Sequence, residues 1–331
     1  MARIADLTVD TFDDAVAHGV ALIDFWATWC GPCKIMGAIL ESQVAPALGD
    51  DVTIGKVNIE EQPDIAVRFE VQSVPQIILF KDGEPAETLF GVQKPDELAA
   101  KVEALKWKNK GYTAIKMGWG GFEQDLATEV KLCKAAREAV GDDVDLLFDI
   151  GYIPSDKVTI DVASRIQLVK AIEQYRPYAV EEALWPHDYL GYKRLQESTS
   201  VRIVCGENET TRFGFKQLID YCKLGFVQPD ITRCGGITEA MRIANYAEVN
   251  AINVVPHCWS SGIVEAASLQ IIAAIPNAEI LEYCEQDTPI RHDLVPDDIP
   301  TVNGYAAIPT KPGLGIEVSD EAIEFYRCDT P

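Results

Sequence analysis

The stretch Trp29-Cys30-Gly31-Pro32-Cys33 decides how the first third of the chain folds. It follows the apolar run Val20–Trp26, which is typical of a buried strand, and it precedes a helical pattern. A Cys-x-x-Cys pair at a helix start places its first sulfur near unpaired backbone N–H groups, which favours thiolate over thiol. The thiolate attacks disulfides, and Cys33, one turn later, can resolve the mixed disulfide. The spacing therefore indicates thiol–disulfide exchange.

Two other interpretations of the pair are half of a zinc site and an inert buried pair. A zinc site needs a second ligand pair at similar spacing, and the sequence has none. The remaining cysteines lie singly, at positions 133, 205, 222, 234, 258, 284 and 328. An odd number of cysteines in a long chain argues against a disulfide framework.

Short helices and strands alternate around this motif. The patterns predict helices at 12–17 and 95–104, and strands at 52–58 and 74–80. Together with Asp24 and Trp26, the motif makes residues 1–105 resemble thioredoxin. The fold class predicted for this part is the α/β thioredoxin fold.

The resemblance to thioredoxin implies a role for four residues. Cys30 would be the attacking thiolate and Cys33 the resolving thiol, with Asp24 as a buried proton acceptor for Cys33 and Pro75 as a cis-proline facing the disulfide. Gln76 stands where thioredoxins more often have Thr, which bears on substrate preference. The implied partners are protein disulfides and an electron donor of the thioredoxin-reductase type, and no cofactor is implied beyond the redox-active disulfide.

From residue 112 the pattern changes to repeated strand-then-helix units. Such alternation predicts a parallel sheet, and seven consecutive units favour a barrel over an open sheet. The predicted strands are 113–117, 145–149, 178–182, 201–206, 226–230, 252–257 and 280–283. We therefore expect a (β/α) TIM-type barrel in residues 112–331, joined to the first part by a short junction at 106–111.

Polar residues end consecutive predicted strands. Asp149, Glu181 and Glu207 would meet at one edge of the sheet, and a hard divalent cation such as Mg²⁺ is the usual way to hold three carboxylates ionised together. Asp230 and His257 end the next two strands. A carboxylate that accepts from one imidazole nitrogen raises the basicity of the other, which makes His257 a candidate general base.

These strand ends resemble the enolase superfamily, in its mandelate racemase and muconate lactonizing branch. The strings that carry the resemblance are Leu147-Phe-Asp149, Val180-Glu181-Glu182, Gly206-Glu207-Asn208, Gln228-Pro229-Asp230, Pro256-His257, Leu281-Glu282 and the carboxyl-terminal segment 304–317. The resemblance implies Mg²⁺ bound by Asp149, Glu181 and Glu207, a His257–Asp230 base dyad, and Glu282 as a polar contact to the enolate. The shared reaction removes the proton α to a carboxylate. The contexts of Thr210 and Thr232 look most like acid-sugar dehydratases, so a small carboxylate is the implied substrate.

Three departures from this family are seen: Ala183 stands where a proline usually follows the fourth-strand pair, and the other two bear on function. The lysine pair of the racemases is here Lys116-Met117-Gly118, so Lys116 remains as a candidate catalytic residue while two-base racemisation is disfavoured. The resemblance begins at the family's second strand, so the first strand and the cap domain are missing and the barrel is expected to be incomplete. Because a cap excludes water and holds the substrate, we expect little dehydratase turnover, and homo-oligomerisation through the barrel is an open possibility.

Three organisations fit these two halves. The chain is a redox enzyme that carries a barrel of low activity, or a bifunctional enzyme in which both halves work, or a chimeric or artefactual join. The sequence does not separate them.

The charge balance bears on partners and location. With 29 Lys and Arg against 52 Asp and Glu, the formal charge is −23, which disfavours nucleic acid and anionic membrane surfaces as partners. No apolar run reaches the length of a membrane span, and the start Met1-Ala-Arg-Ile-Ala-Asp6 lacks the apolar character of a secretory signal. We therefore expect a cytoplasmic protein.

Overall fold

A computed structural model describes residues 4–118, 125–151, 161–285, 288–296 and 299–328. The strands are β1 Ile4–Asp6, β2 Val20–Trp26, β3 Thr53–Asn58, β4 Gln76–Lys81, β5 Glu84–Phe90, β6 Ala114–Gly118, β7 Asp145–Asp149, β8 Ala179–Glu181, β9 Ile203–Cys205, β10 Phe226–Val227, β11 Asn253–Val254, β12 Thr301–Val302 and β13 Tyr305–Ala306. The α-helices are α1 Val9–Val16, α2 Gly31–Ile39, α3 Ala45–Leu48, α4 Pro63–Arg68, α5 Pro95–Asn109, α6 Leu126–Val140, α7 Val162–Ile172, α8 Tyr189–Ser198, α9 Thr211–Lys216, α10 Ile237–Val249, α11 Gly262–Ala274, α12 Pro289–Leu294 and α13 Asp320–Tyr326. Of the helices described, none combines the length and the apolar character that a membrane crossing requires.

The chain divides into two compact units. The first comprises Met1–Met117 and Asp125–Leu146, and the second comprises Gly118–Gln124 and Leu147–Pro331.

A five-stranded sheet in the order β1-β3-β2-β4-β5 forms the centre of the first unit. Strand β2 pairs parallel with β3 and antiparallel with β4. The apolar run of β2 is continuous because both of its faces are covered: Leu22 lies in one apolar cluster, and Ile23 and Phe25 lie in the other. The predicted strand 74–80 starts only at Gln76, since Pro75 has no N–H to donate to the sheet.

The sequence patterns do not predict the edge strand β5. Its residues include Glu84, Pro85 and Glu87, and most of its side chains are exposed, so the apolar alternation of a half-buried strand is weak. Main-chain pairing with β4 forms it instead. A proline and charged residues are common on edge strands because they oppose pairing with other chains.

Helix α5 extends five residues beyond the predicted helix and is covered on two sides. Leu98, Val102 and Leu105 pack in the apolar cluster that also contains Leu22. It also contacts α6, where Lys101 Nζ lies 3.4 Å from Glu138 Oε2 and Lys108 Nζ donates to the carbonyl oxygen of Val140 at 2.5 Å. The first compact unit therefore includes a helix that follows the thioredoxin-like segment in the chain.

Six strands form a second sheet in the order β11-β10-β9-β8-β7-β6. Successive strands from β7 to β11 pair in parallel, as the alternation of strands and helices predicts. Among the residues that the structure describes, this sheet ends at β6 and β11, so it is open and not a closed barrel.

The seventh predicted strand, 280–283, is wrong. An isolated bridge pairs Val254 of β11 with Ala278, just before this segment, and residues 280–283 themselves form no strand. Side chains hold the segment instead: Tyr283 donates its hydroxyl to the carbonyl oxygen of Ile299, and Arg291 donates to the carbonyl oxygen of Cys284. Residues 280–283 are half-buried, and such burial does not require strand pairing.

Candidate active sites

The cysteine pair lies where α2 begins. A disulfide joins Cys30 and Cys33, whose Cα atoms are 5.3 Å apart. Cys30 occupies the N-cap position, and its sulfur accepts a hydrogen bond from the backbone N–H of Cys33 at 3.1 Å. Both cysteines are buried, whereas the neighbouring Trp29 is 69% exposed. The helix start supplies the N–H groups that favour a thiolate at position 30.

The peptide bond between Val74 and Pro75 is cis, as the resemblance implies. The carbonyl oxygen of Val74 lies 3.6 Å from the sulfur of Cys30, so this turn faces the disulfide. The next residue, Gln76, is buried, and its Oε1 has no hydrogen-bond partner among the described residues.

Asp24 is a buried carboxyl group in the middle of β2. Neither carboxyl oxygen has a hydrogen-bond partner within the described part of the chain. Burial raises the pKa of Asp24 to about 7, and the charge of Lys56, its register partner on β3, opposes this only partly. A carboxyl group with a pKa near 7 can take up and release a proton at neutral pH, which is what the predicted role of Asp24 requires.

Glu60 supports the same site through Thr28, and no sequence pattern predicted this role. Glu60 Oε2 accepts from the backbone N–H of Thr28 at 3.2 Å and from its hydroxyl at 2.7 Å. These hydrogen bonds lower the pKa of Glu60, so the carboxylate stays charged. Glu60 lies 32 residues from Thr28 along the chain, and no local pattern links the two residues.

Three of the predicted carboxylates and one further acid lie close together at the strand ends of the second unit. Asp149 and Glu181 end β7 and β8 and are register partners. The following residue, Glu182, is buried with a positive φ of 49°. Burial, followed by the charges of Glu207, Glu181 and Asp149, raises the pKa of Glu182 to about 8. The four carboxyl groups therefore act on one another electrostatically.

His257 lies between two carboxylates. Its Nδ1 is 2.7 Å from Asp230 Oδ2, and its Nε2 is 3.0 Å from Glu207 Oε2. Asp230 also accepts from the backbone N–H and the hydroxyl of Thr232. Burial opposes ionisation of Asp230, but the hydrogen bonds from His257 and Thr232 outweigh it and lower the pKa of this carboxyl group. The structure thus brings Asp230 and His257 together as the sequence predicts.

The protonation state of His257 follows from these neighbours. Burial lowers its pKa, but the hydrogen bonds to Asp230 and Glu207 and the charge of Glu282 outweigh burial and raise the pKa to about 10. At neutral pH this imidazole therefore carries two protons in the arrangement observed. A general base must be neutral before it accepts a proton, so the predicted basic role requires Glu207 to move away from Nε2.

The last two predicted residues differ in placement. Glu282 lies close enough to His257 to raise its pKa, although its segment forms no strand. Lys116 lies in β6, within the first compact unit.

The predicted metal ligands are of the chemical type that Mg²⁺ prefers. Their positions in the structure are less suited to holding the ion. Carboxylate oxygens are the ligands that Mg²⁺ prefers, and the mutual repulsion around Glu182 would be relieved by a cation. However, in the ranges that the structure describes, no three His, Cys, Asp or Glu side chains are placed to hold a metal ion. Glu207 instead contacts His257 and, at 3.8 Å, Arg233.

The fold of each half agrees with comparisons to known proteins. Residues 97–322 match the family described as enolase C-terminal domain-like, and residues 3–104 match the thioredoxin family. The two matches overlap in α5, the helix that packs both on the first sheet and against α6.

Curated relatives match each half separately. A thioredoxin of Staphylococcus saprophyticus is 44% identical over 100 residues, which are 30% of this chain and 95% of that protein. A D-xylonate dehydratase of Haloferax volcanii is 34% identical over 232 residues, covering 66% of this chain and 55% of that protein. A D-galactarolactone cycloisomerase of Agrobacterium fabrum is 30% identical over 241 residues, covering 69% of this chain and 60% of that protein.

A solved structure shares the fold of the second half. The 3,6-anhydro-D-galactonate cycloisomerase of Zobellia galactanivorans superposes with a TM-score of 0.62 at 32% identity, over 70% of this chain and 63% of that chain. The chain thus spans less than two thirds of the length of these relatives of its second half. It belongs to the thioredoxin family over residues 3–104 and to the enolase C-terminal domain-like family over residues 97–322.

Proposed function

We propose that the first unit is a thiol–disulfide oxidoreductase that reduces disulfides in other proteins. The observation that carries this proposal is the Cys30–Cys33 disulfide at the start of α2, with the cis Val74–Pro75 turn against it. The exposed Trp29 beside the buried sulfurs gives a protein substrate an apolar surface to contact.

The chemistry follows from the positions of the two sulfurs. In the reduced protein, the Cys30 thiolate attacks one sulfur of a substrate disulfide, forms a mixed disulfide and releases the other substrate sulfur as a thiolate. Cys33 then loses its proton, with Asp24 as the proposed acceptor, and attacks the sulfur of Cys30. This step releases the reduced substrate and regenerates the Cys30–Cys33 disulfide. A dithiol donor of the thioredoxin-reductase type would return the two electrons.

Insulin reduction with dithiothreitol as the electron donor tests this proposal in the full chain. Cys30→Ser should abolish turnover because no attacking thiolate remains, and Cys33→Ser should trap a mixed disulfide that migrates as a covalent adduct. Cys328→Ser is the matched control, since Cys328 is an exposed free cysteine. Full activity of Cys30→Ser would refute the assignment.

The second half supports a second candidate function, proton abstraction next to a carboxylate in an acid sugar. The observation that favours it is the 2.7 Å contact between His257 Nδ1 and Asp230 Oδ2. In this proposal, neutral His257 takes the α proton at Nε2 while Asp230 holds Nδ1–H. His257 then returns this proton to the β-hydroxyl, which leaves as water, and the resulting enol tautomerises to a keto acid. The Mg²⁺ predicted for Asp149, Glu181 and Glu207 stays a prediction.

We expect low turnover from this half, absent or orders of magnitude below that of a longer relative. Glu207 Oε2 contacts His257 Nε2, the nitrogen that must accept the proton, and the pKa of His257 is raised to about 10. A panel of aldonates and aldarates with Mg²⁺, assayed for keto-acid formation, measures it. His257→Asn should remove any activity and His292→Asn, an exposed histidine on α12, should not. Robust activity that disappears in His257→Asn would contradict the expected low rate and establish the base.

A further inference from the structure

We propose that Arg233 recognises a carboxylate of the ligand at the strand ends of the second unit, and so makes this site select sugar acids over neutral sugars. The inference rests on the acid-sugar function proposed above. It adds the residue that recognises the negatively charged carboxylate of the substrate. Arg233 lies in the segment after β10, three residues beyond Asp230 of the histidine dyad.

Backbone and side-chain contacts fix Arg233 in place. Its backbone N–H donates to the carbonyl oxygen of Asp230 at 3.0 Å, which places the residue at the edge of the dyad. Its Nη1 donates to Asn208 Oδ1 at 2.5 Å, while Asn208 Nδ2 donates to Glu207 Oε1 at 3.0 Å. One amide side chain therefore orients both the guanidinium and the Glu207 carboxylate.

The guanidinium has donors to spare. It carries five N–H groups, and the one side-chain hydrogen bond seen among the described residues goes to a neutral amide. The nearest carboxylate oxygen, Glu207 Oε1, is 3.8 Å away, beyond hydrogen-bond distance. The side chain of Arg233 is 49% exposed, so a ligand can reach it.

Two other arginines in the neighbouring segments are used differently. Arg212 Nε lies 3.0 Å from Glu239 Oε1, and Arg242 Nη1 lies 3.2 Å from Glu239 Oε2. Both cations thus neutralise one carboxylate on α10, whose pKa their contacts help to lower. Arg233 has no carboxylate within hydrogen-bond distance among the described residues, although it stands beside Glu207 of the carboxylate cluster.

The clustered negative charge disfavours binding of an anionic substrate, and the guanidinium of Arg233 offsets this repulsion. Asp149, Glu181, Glu182 and Glu207 lie close together, so an anionic substrate would be repelled from the very residues that are proposed to act on it. A guanidinium at the edge of the cluster offers two parallel donors that match the two oxygens of a carboxylate. A neutral polyol of the same length gains nothing comparable.

Calorimetric titration of the full chain with galactonate and with galactitol, its neutral analogue, tests the inference in Mg²⁺-containing buffer. Wild type should bind galactonate at least tenfold more tightly than galactitol. Arg233→Gln should weaken galactonate binding by about 10- to 100-fold, the usual cost of losing hydrogen bonds to a charged group, and leave galactitol binding unchanged. Arg233→Lys should lie between, because it keeps the charge but not the paired donors. Arg242→Gln, a half-exposed arginine paired within α10, is the control and should match wild type.

Three results would overturn the inference. The first is unchanged galactonate binding in Arg233→Gln. The second is an equal loss of galactonate and galactitol binding in that variant, which would indicate damage to the site. The third is a wild-type protein that fails to bind galactonate. Selective binding without keto-acid formation would agree with the low turnover expected above and leave the role of Arg233 standing.

Discussion

The disulfide site of the first unit and the strand-end site of the second are built in opposite ways. The first takes both of its reacting groups, Cys30 and Cys33, from one helix start, and the turn at Pro75, Asp24 and Glu60 only support them. The second collects residues from six segments that lie between positions 149 and 282. A site contained in one short segment depends little on the rest of the chain, whereas a site assembled from many strands requires each strand to be in place.

The two sites also treat a buried carboxyl group differently. Asp24 and Asp230 are both almost fully buried. Asp24 receives no hydrogen bond in the described part of the chain, and burial raises its pKa to about 7. Asp230 receives hydrogen bonds from His257 and Thr232, which outweigh burial and lower its pKa. Local donors, and not burial by itself, therefore decide the charge of a buried acid.

The largest effect on stability is expected at Asp24. Its pKa is raised from 3.8 to about 7 in the folded protein, so the folded state holds more protons than the unfolded state between these values, and stability falls as pH rises from about 4 to 7. Asp24→Asn removes this loss and should stabilise the protein at pH 8 by up to about 4 kcal/mol, with little gain at pH 4. Thermal unfolding against pH measures it.

Asp64→Asn, an exposed aspartate on α4, is the control for Asp24→Asn and should leave the pH profile unchanged. A gain at Asp24→Asn that is equal at pH 4 and pH 8 would show that Asp24 does not titrate near neutrality. The contrast between the raised pKa of Asp24 and the lowered pKa of Asp230 would then not hold.

Metal uptake tests whether the strand-end acids act as one site. If Asp149, Glu181 and Glu207 can converge, the chain should bind Mg²⁺ weakly, and Glu207→Gln should lower the affinity by about tenfold or more because one charged ligand is lost. Calorimetric titration measures the ion directly. Glu248→Gln, an exposed glutamate on α10, should bind like wild type. Equal uptake by wild type and Glu207→Gln would mean that these side chains do not share an ion.

The smallest effect is expected at the helix that the two families share. Lys101 Nζ on α5 lies 2.5 Å from Glu87 Oε1 and 3.4 Å from Glu138 Oε2, and its side chain is 11% exposed. Lys101→Met should lower the free energy of unfolding of the first unit by about 1 kcal/mol, because its glutamate partners remain partly hydrated. Urea denaturation measures it.

Lys134→Met is the matched control, since Lys134 is an exposed partner of the same Glu138 at 3.5 Å. It should change stability by less than about 0.5 kcal/mol. If the two variants were equal, α5 and α6 would not be held together through Lys101.

Prediction from sequence succeeded where a pattern is local or strictly ordered. The strand Val20–Trp26 was predicted to the residue, because an apolar run of this length has few alternatives. The short β10 and β11 were predicted too long, and the segment 280–283 was assigned to a strand that it does not form. In these places apolar residues are buried by loops and side-chain contacts, and hydropathy does not distinguish such burial from strand pairing.

The sequence by itself determined the redox motif, the order of the strand-end acids and the pairing of Asp230 with His257, because each depends on spacing along the chain or on the alternation of strands and helices. Only the tertiary structure decided that Glu60 holds Thr28, that Glu207 occupies His257 Nε2, and that Arg233 is oriented by a neutral amide. Each of these contacts joins residues 25 to 50 positions apart. Contacts at that range depend on how loops fold back on the sheet, and short-range patterns carry no record of it.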